Sequence, residues 1–379
     1  MDNKRRLCFD WEISDHSGWG IYGSNLLMYG QKNQHFQPVP LVKPSFLYPL
    51  DPLLHKFLTE GLPPPNTQIN MTSQDILLSS LGNSNAPDAK KEFRNIGVIF
   101  SERNPLPKDE IQKLKNFEFL IAGSSWNASA LKECGIKTHT VIQGIDLDLF
   151  RPMPKRHLKD KFVVFSGGKL EYRKGQDIAL KAFSRLAAKH DDVVLLTAWR
   201  SPSEVQFAAT INESGLCDPF EFSGDIGKST REWILKNGIK LEQVISIDST
   251  PNRLMPEIYR EIDLAVFPNR CEGGTNLVAM EALAFGLTCL ISKNTGHLDI
   301  IRGANCLPLT QQKSCLPLTL QNSINKEGFT DWGESSIDEM VDLMEEVYQG
   351  RMKINPMVAR ESMLSYSWEN TINSMLSLF

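Results

Sequence analysis

The sequence predicts an α/β protein built from two Rossmann-like domains, with two parallel sheets that face each other across a cleft. Short apolar runs alternate with segments of helical period along most of the 379 residues. The strand candidates are apolar without interruption, which is typical of parallel strands covered by helices on both faces. The chain is also long enough for two domains with separate cores. Since parallel sheets bind ligands beyond the carboxyl ends of their strands, the arrangement predicts a cleft enzyme.

The strand candidates form two groups along the chain. The first group comprises RLCFDWEI, NIGVIFSE, FEFLIAGS and HTVIQG, and the second comprises KFVVFSGG, DVVLLTAW, VISIDST, DLAVFPN and TCLISKN. Between the groups, residues 144–161 hold two prolines and a charge cluster and lack helical periodicity, which indicates a linker. We therefore predict an N-terminal domain of residues 1–150 and a second domain that begins at residue 151. Residues 311–332 have no clear period, and we expect a surface insertion there.

Composition and charge argue against several classes of function. Lys and Arg total 41 against 45 Asp and Glu, so the net charge of −4 lacks the basic surplus of a nucleic-acid-binding protein. No apolar run is long enough to span a bilayer, and MDNKRR leads into a strand-like run rather than the apolar stretch of a signal peptide. Seven scattered cysteines without a CxxC pair indicate reduced thiols. We expect a cytoplasmic protein that is peripheral to a membrane at most.

Gly18, Gly20 and Gly23 follow the first strand and fit the pattern G-x-G-x-x-G at the start of a helix. Glycines there let the backbone approach a phosphate or a sugar, and a helix N-terminus attracts anions. An NAD(P)-dependent oxidoreductase has the same pattern, but it also needs an acidic residue at the end of the second strand, and FQPVPLVKP has none. Three interpretations stay open: a loop that contacts another kind of ligand, a tight turn from strand to helix, and the dinucleotide-binding loop of an NAD(P)-dependent oxidoreductase, against which the missing acid counts.

A cationic loop follows the first strand of the second group, in the stretch FSGGKLEYRKGQD. Lys169, Arg173 and Lys174 come just after a glycine pair at the carboxyl end of the strand, where a diphosphate would need positive partners. We interpret the stretch as a phosphate-binding loop that is distinct from a Walker A loop. The alternative is a solvated basic loop.

The stretch EGGTNLVAMEALAF predicts a buried helix that contains one charge. Apolar residues cover every face of this helix, so Glu281 would lie in a core, where a carboxylate needs a partner. That partner is either a buried Lys or Arg, or a ligand with hydroxyl groups to donate, such as a ribose. Thr275 or Asn276 is the expected helix cap. The amides of the turn before the helix would meet the anionic part of the same ligand.

Glu102 directly follows an apolar strand of the first group. If it faces the cleft, its carboxylate would orient a sugar or an acceptor hydroxyl. A rim glutamate paired with Arg103 or with a lysine fits the same pattern.

Taken in order, these stretches resemble the retaining GT-B glycosyltransferases of family 4. SSWNASALKECGIKTHTVIQGIDLDLFRP resembles the segment that ends the first domain in that family, and GGKLEYRKGQD resembles its G-R-L…K-G loop. RLMPEIYREIDLAVFPNRCEGGTNLVAMEALAFG resembles the signature Y…A-D…P-S…E-G…E-A-M-A-x-G, the most specific of these motifs, and NTGHLDII resembles the segment after it. SWENTINSML resembles the terminal helix that crosses back to the first domain. The resemblance covers nearly the whole chain. It implies a donor domain of residues 151–359 and a helix within about 360–379 that packs on the N-terminal domain.

The resemblance implies transfer of a sugar, with retention at the anomeric carbon, from a UDP-, GDP- or ADP-linked donor to a hydroxyl of a glycan, lipid or small molecule. No metal and no cofactor is expected, because lysines would stabilise the charge that develops on the leaving diphosphate. Lys169 and Lys174 would contact that diphosphate, and Glu281 would bind the ribose hydroxyls. The remaining donor-site candidates are Gly18, Gly20, Glu272, Gly273, Gly274, Thr275, Asn276 and Leu277. We take Lys169, Lys174, Glu272 and Glu102 as the catalytic candidates.

The sequence departs from the family pattern at three places. Lys169 stands where the family usually has arginine, which keeps the charge but loses the bidentate geometry. Eight residues rather than seven separate Glu272 from Glu281, and the extra one falls in the turn before the helix. Ser101 and Glu102 occupy the place where many relatives have a histidine. The alternatives in a similar fold are a nucleotide-sugar epimerase, a sugar phosphorylase and a non-catalytic binder of sugar nucleotides.

Overall fold

The computed structural model describes residues 4–46, 69–83, 87–90, 92–199, 205–316 and 331–379, together with Lys56 and Leu58. Two six-stranded parallel sheets, each with helices packed against it, account for most of these residues. The predicted fold class is therefore confirmed.

The first sheet has the strand order β2-β1-β3-β4-β5-β6, and every neighbouring pair is parallel. Its strands are β1 (Arg5–Phe9), β2 (Phe36–Pro40), β3 (Ile76–Leu81), β4 (Arg94–Ile99), β5 (Phe119–Ala122) and β6 (Thr138–Thr140). Its helices are α1 (Gly18–Gly30), α2 (Lys108–Leu114) and α3 (Ser125–Glu133). Strand β3 was absent from the sequence prediction, because ILLSSL mixes a short apolar run with serines and has no clear alternation.

The second sheet has the order β12-β11-β10-β7-β8-β9 and is parallel throughout. Its strands are β7 (Phe162–Gly167), β8 (Val193–Ala198), β9 (Val244–Ser246), β10 (Leu264–Phe267), β11 (Thr288–Ser292) and β12 (Leu307–Leu309). Its helices are α4 (Gln176–Ala187), α5 (Val205–Ala208), α6 (Ile226–Lys236), α7 (Met255–Tyr259), α8 (Leu277–Phe285) and α9 (Ile337–Tyr348). Two short strands, β13 (Gln312–Ser314) and β14 (Gly333–Ser335), pair antiparallel. Strand β13 lies within residues 311–332, where we expected an insertion, and β14 follows directly after them. Residues 317–330 of that segment lie outside the described residues.

Both sheets change direction of winding at an inner strand. In the first sheet β2 and β3 lie on opposite sides of β1, and in the second sheet β8 and β10 lie on opposite sides of β7. Crevices form beyond the carboxyl ends of the strands at such switch points. The loops after β1, β7 and β10 are therefore the ones that the topology places at a ligand site.

The chain ends with helices α10 (Pro356–Glu361) and α11 (Trp368–Leu376). Helix α11 contacts α1 of the first half, where the rings of Tyr22 and Trp368 lie 5.5 Å apart. The Thr371 hydroxyl also donates to the Ile142 carbonyl at 3.0 Å. Residues 144–161 lie between the two sheets, although the proposed domain limits stay a prediction. No helix among the described residues is long and apolar enough to cross a membrane.

Candidate functional site

A cavity of about 460 Å³ lies between the two halves of the molecule. Its walls come from the loops after β1, β4, β7, β9 and β10 and from the start of helix α8. These loops include the three that the switch points of the two sheets single out. The cavity therefore has the position that the parallel topology predicts for a ligand site.

Helix α8 carries a carboxylate into the core beside this cavity. The helix packs Ala, Leu, Met and Phe side chains on nearly all sides, and Glu281 is only 5% exposed. The Asn252 amide donates to Glu281 Oε1 at 2.6 Å, and the Tyr259 hydroxyl donates to Oε2 at 3.3 Å. Among the described residues no Lys or Arg forms an ion pair with Glu281, so burial raises its pKa to about 8. Of the two alternatives for its partner, a buried Lys or Arg is therefore absent from the described part of the chain, while the ribose interpretation stays a prediction.

The start of helix α8 differs from the predicted side-chain cap. Asn276 occupies the cap position with φ +64°, but its side chain makes no capping hydrogen bond and contacts His297 instead. The Thr275 hydroxyl bonds to the Met280 sulfur. The amides of Leu277 and Val278 make no hydrogen bond within the described part of the protein, and both residues line the cavity. The helix therefore presents uncapped N–H groups to the cavity, which favours binding of an anion.

Three cations enter the site from the loop after β7. The 3₁₀ turn Tyr172–Lys174 ends at Gly175, whose positive φ of +68° and close approach to the Pro268 carbonyl both favour glycine. Lys174 Nζ lies 2.5 Å from a Glu272 carboxylate oxygen. Lys169 lies 3.4 Å from Glu171 and 3.9 Å from the centre of the Phe207 ring.

Arg173 is the most heavily paired of these cations. Its guanidinium lies 2.6 Å from Glu171, 2.8 Å from Glu272 and 3.3 Å from Glu102 of the first half. Burial alone would lower the pKa of Arg173, but the surrounding carboxylates outweigh it and raise the pKa well above its ordinary value. Arg173 therefore stays charged and joins carboxylates from both halves of the molecule.

Glu272 follows β10 and is buried. Burial by itself would raise the pKa of Glu272, but Lys174 and Arg173 outweigh it and lower the pKa to about 2. Its carboxylate also accepts a hydrogen bond from the Asn269 amide. In this structure Glu272 is an ionised group whose oxygens contact cations of its own chain.

His297 lies beneath the turn before helix α8. Its Nδ1 lies 3.1 Å from the Ser292 carbonyl oxygen, and its Nε2 lies 3.1 Å from the Asn276 amide nitrogen. Since an amide nitrogen only donates, Nε2 accepts and Nδ1 carries the proton. Burial lowers the pKa of His297 to about 4, so the ring is neutral at pH 7. The neutral imidazole fixes the side chain of Asn276, which lines the cavity.

Most of the predicted site residues meet at the cavity, and three do not. The lining includes Gly18, Glu102, Lys169, Lys174, Glu272, Gly274, Asn276, Leu277 and Glu281. The other three, Gly20, Gly273 and Thr275, lie behind the cavity wall. The structure therefore argues against direct contact between these residues and a donor.

Close packing explains the positions of the two glycines behind the wall. A Cβ on Gly20 would lie 1.8 Å from Ser14 Oγ, so Gly20 serves the tight turn from strand to helix. A Cβ on Gly273 would lie 2.7 Å from the Ser101 carbonyl oxygen, and the Gly273 carbonyl accepts from Ser124 at 2.7 Å. The Gly273 backbone therefore forms part of the contact between the two halves.

Glu102 reaches the cavity from the carboxyl end of β4. Its carboxylate accepts from the Asn83 amide and faces Arg173, and its carbonyl oxygen accepts from Trp332 Nε1 at 2.9 Å. The alternative pairing of Glu102 with Arg103 is not seen in the described structure, where Arg103 pairs with Glu110 at 3.0 Å. No group of three or more His, Cys, Asp or Glu in the described chain has the arrangement of a metal site. Metal independence remains a prediction.

Several residues of the site were not predicted from the sequence. Asn252 and Tyr259 contact Glu281 from residues 252–259, which precede β10, and His16 lines the cavity beside Gly18. His297 stands in NTGHLDII, which the sequence analysis matched to the family without giving it a role. The sequence pointed to these residues only through their position after a strand or within a matched motif.

The two facing parallel sheets and the cavity between their carboxyl ends define the GT-B class of glycosyltransferase folds. Residues 151–311, which hold the cations and helix α8, match the family model described as Glycosyl transferases group 1. A comparison with curated protein sequences found no match.

Solved glycosyltransferase structures share this fold over almost the whole chain. A glycosyltransferase from Rickettsia africae aligns with a TM-score of 0.64 at 11% identity, covering 99% of this chain and 98% of its own. Sucrose-phosphate synthase from Thermosynechococcus elongatus aligns with a TM-score of 0.64 at 14% identity, over 99% and 98% of the two chains. The Anabaena protein HepE, solved with UDP and glucose, aligns with a TM-score of 0.62 at 12% identity, over 99% of both chains. At these identities the similarity concerns the fold.

Proposed function

We propose that this protein is a retaining glycosyltransferase of family 4 that moves a sugar from a nucleotide-diphosphate sugar to an acceptor hydroxyl. The observation that carries the proposal is the composition of one cavity wall. Glu281, which lacks a cationic partner in the described chain, stands on the same helix whose free N-terminal amides face the cavity, and Lys169 and Lys174 line that wall too. A ribose matches Glu281, and a diphosphate matches the helix amides together with the two lysines.

The ribose and the diphosphate of the donor then each have a physical partner. The ribose hydroxyls donate to the Glu281 carboxylate, which accepts hydrogen bonds but has no cation to balance it. The diphosphate binds at the amides of Leu277 and Val278 and at the two lysines. HepE was solved with UDP and glucose in the same fold, which supports a nucleotide sugar as the ligand class.

The main catalytic task in this proposal is to stabilise the negative charge that develops on the leaving diphosphate. Groups that are already oriented towards that charge are effective because they need no reorganisation during the reaction. Lys169, Lys174 and the α8 amides fill this role. The leaving phosphate takes the proton of the acceptor hydroxyl on the same face of the sugar, so the anomeric configuration is retained.

The first experiment is a thermal-shift screen with UDP-, GDP- and ADP-linked sugars. A selective donor stabilises the folded state by mass action, by about 2.7 kcal/mol at 100 times its dissociation constant. The stabilising donor is then incubated with a panel of glycans, lipids and small-molecule alcohols, and the anomeric configuration of the product is read by NMR. Addition of EDTA tests the predicted metal independence, because the transfer rate should not change.

The alternatives give different outcomes in the same experiment. An epimerase would convert the donor sugar without an acceptor, and a phosphorylase would require inorganic phosphate. A non-catalytic protein would be stabilised by the nucleotide sugar without forming product. Absence of stabilisation by any nucleotide sugar would contradict the proposed function.

A further inference from the structure

The loop after β1 brings an aspartate and a histidine to the cavity, and the proposed donor site uses neither. Asp15 and His16 immediately precede Ser17 and Gly18, where helix α1 begins, and all four residues line the cavity. Both side chains are largely buried. The loop belongs to the first sheet and faces the donor wall of the second.

Asp15 orients the imidazole of its neighbour. His16 Nδ1 lies 3.3 Å from Asp15 Oδ1. A carboxylate at Nδ1 holds the proton on that nitrogen and leaves Nε2 as the hydrogen-bond acceptor. No residue in the described part of the chain bonds to Nε2, so this atom is available to a ligand in the cavity.

The second half of the molecule holds Asp15 in place. Arg253 lies 3.1 Å from Asp15 Oδ2, and the Asn252 backbone N–H donates to the Asp15 carbonyl oxygen at 2.7 Å. The side chain of the same Asn252 donates to Glu281 Oε1. One residue therefore touches both the carboxylate proposed for the ribose and the loop that carries His16.

We propose that His16 is the acceptor-positioning residue of the transfer site, and that Asn252 connects its loop to the nucleotide site at Glu281. The inference rests on the proposed function. Asp15 is already engaged by Arg253 and by the imidazole, so the loop offers no free cation to a diphosphate, whereas an imidazole backed by a carboxylate is a good hydrogen-bond acceptor for an alcohol. The chemistry of the pair therefore suits the hydroxyl acceptor rather than the donor.

In this arrangement Nε2 of His16 accepts a hydrogen bond from the acceptor hydroxyl and fixes its oxygen near the anomeric carbon. The acceptor oxygen then forms the new bond to carbon while the bond from carbon to the phosphate oxygen breaks, and its electron pair goes to the leaving phosphate. The acceptor proton passes to that phosphate. His16 contributes orientation, which is effective because a small misplacement of the reacting atoms slows a reaction strongly.

The test compares His16→Ala, His16→Gln and Asp15→Asn with wild type. The matched control is His35→Gln, at an exposed histidine beside the amino end of β1, opposite to the end that leads to the His16 loop. Binding of the nucleotide sugar selected in the thermal-shift screen is measured by calorimetry. Steady-state transfer is measured against the acceptor from the panel. We expect the donor dissociation constant to stay within about twofold in all variants, because the donor partners are unchanged.

The acceptor parameters should change in the His16 variants. We expect His16→Ala to raise the acceptor KM at least about tenfold, Asp15→Asn to raise it less, and His16→Gln to recover part of the loss, since the glutamine carbonyl can accept the same hydrogen bond. An unchanged acceptor KM would overturn the inference. A parallel loss of donor affinity would overturn it too, because His16 would then belong to the donor site. Failure of the wild-type protein to bind any nucleotide sugar would instead contradict the proposed function.

Discussion

The buried carboxylate of Glu281 should make the free energy of unfolding depend on pH, and the substitution Glu281→Gln should remove this dependence. Burial raises the pKa of Glu281 to about 8, against an ordinary value of 4.5. The folded protein therefore keeps a proton on this group in a range where the unfolded chain has lost it. Stability from this group is fully present below about pH 4.5 and is lost as the pH rises through about 8.

The size of the effect follows from the two pKa values. Each pH unit between them contributes about 1.4 kcal/mol, so the full difference is roughly 5 kcal/mol for this buried group. Glu281→Gln has the shape of the protonated carboxyl and does not titrate. The variant should match the wild type near pH 5 and be more stable than it at pH 9.

Urea unfolding of both proteins at intervals from pH 5 to pH 9 measures this difference directly. Other titrating groups are common to the two proteins and cancel in the comparison. The difference in the free energy of unfolding should grow with pH and level off above about pH 8. A difference that stays constant across the range would refute the reasoning, because Glu281 would then not titrate in it.

Nucleotide binding should be coupled to the same proton. If the ribose hydroxyls donate to both oxygens of Glu281, the bound form is the ionised carboxylate, and binding at pH 7 releases about one proton. Calorimetry in two buffers with different ionisation enthalpies counts that proton. The count should fall to near zero in Glu281→Gln, and equal proton release in both proteins would place the coupled group elsewhere.

Three further substitutions test other parts of the structure. Lys174→Ala should weaken nucleotide-sugar binding roughly 10- to 100-fold, because a charged contact to phosphate is lost, and unchanged affinity in calorimetry would contradict the diphosphate assignment. Arg270→Met should cost about 3–5 kcal/mol in urea unfolding, because it leaves the buried Asp177 carboxylate without its cation and Glu334 with Lys313 alone, and a loss below about 1 kcal/mol would contradict this. Gly20→Ala should cost about 1–3 kcal/mol, since its Cβ would overlap Ser14, while Gly18→Ala meets no atom closer than 3.9 Å and should be nearly neutral, so equal losses would argue against the overlap.

The fold class could be predicted from local sequence patterns, and the strands that were not predicted are those that lack such a pattern. Strands that read as continuous apolar runs were found, because burial on both faces leaves that mark on the sequence. Strand β3 was missed because two serines interrupt its apolar character. The pairing of β13 with β14 joins residues about twenty positions apart, and such a contact has no local pattern.

The site residues likewise divide into those that a local sequence pattern predicts and those that only long-range contacts define. Glu281 stood out because a lone charge in an apolar helix has few explanations, and the structure places it beside the cavity. Asn252 did not stand out as a partner of Glu281, since it lies in a polar stretch. Tyr259 belongs to the matched motif RLMPEIYREIDLAVFPN, but the motif gave it no role. His16 was equally inconspicuous: its chemistry arises from Asp15 and from a contact with the other half of the chain. Residues whose role depends on long-range contacts cannot be recognised by composition alone.

The contacts of Glu272 in the structure differ from the role that the resemblance implied for it. The turn before helix α8 is one residue longer than the family spacing, and it ends at Asn276 in the left-handed conformation. The Glu272 carboxylate points to Lys174 and Arg173, and with Glu171 and Glu102 it supplies three negative charges to a cluster whose cations are Lys169, Arg173 and Lys174. The cluster is therefore close to neutral, so it cannot attract a diphosphate by net charge.

In the proposed function, the first attraction for the diphosphate therefore comes from groups that the carboxylates do not neutralise, before Lys174 contacts it. The amides of Leu277 and Val278 are such groups, because they carry the positive end of the helix dipole and are not bonded within the described chain. A bound phosphate at these amides would then compete with Glu272 for Lys174, since one ammonium group serves both anions. In this arrangement Glu272 positions the Lys174 ammonium group beside the cavity until a phosphate binds it. The start of helix α8 provides the first contact with the donor.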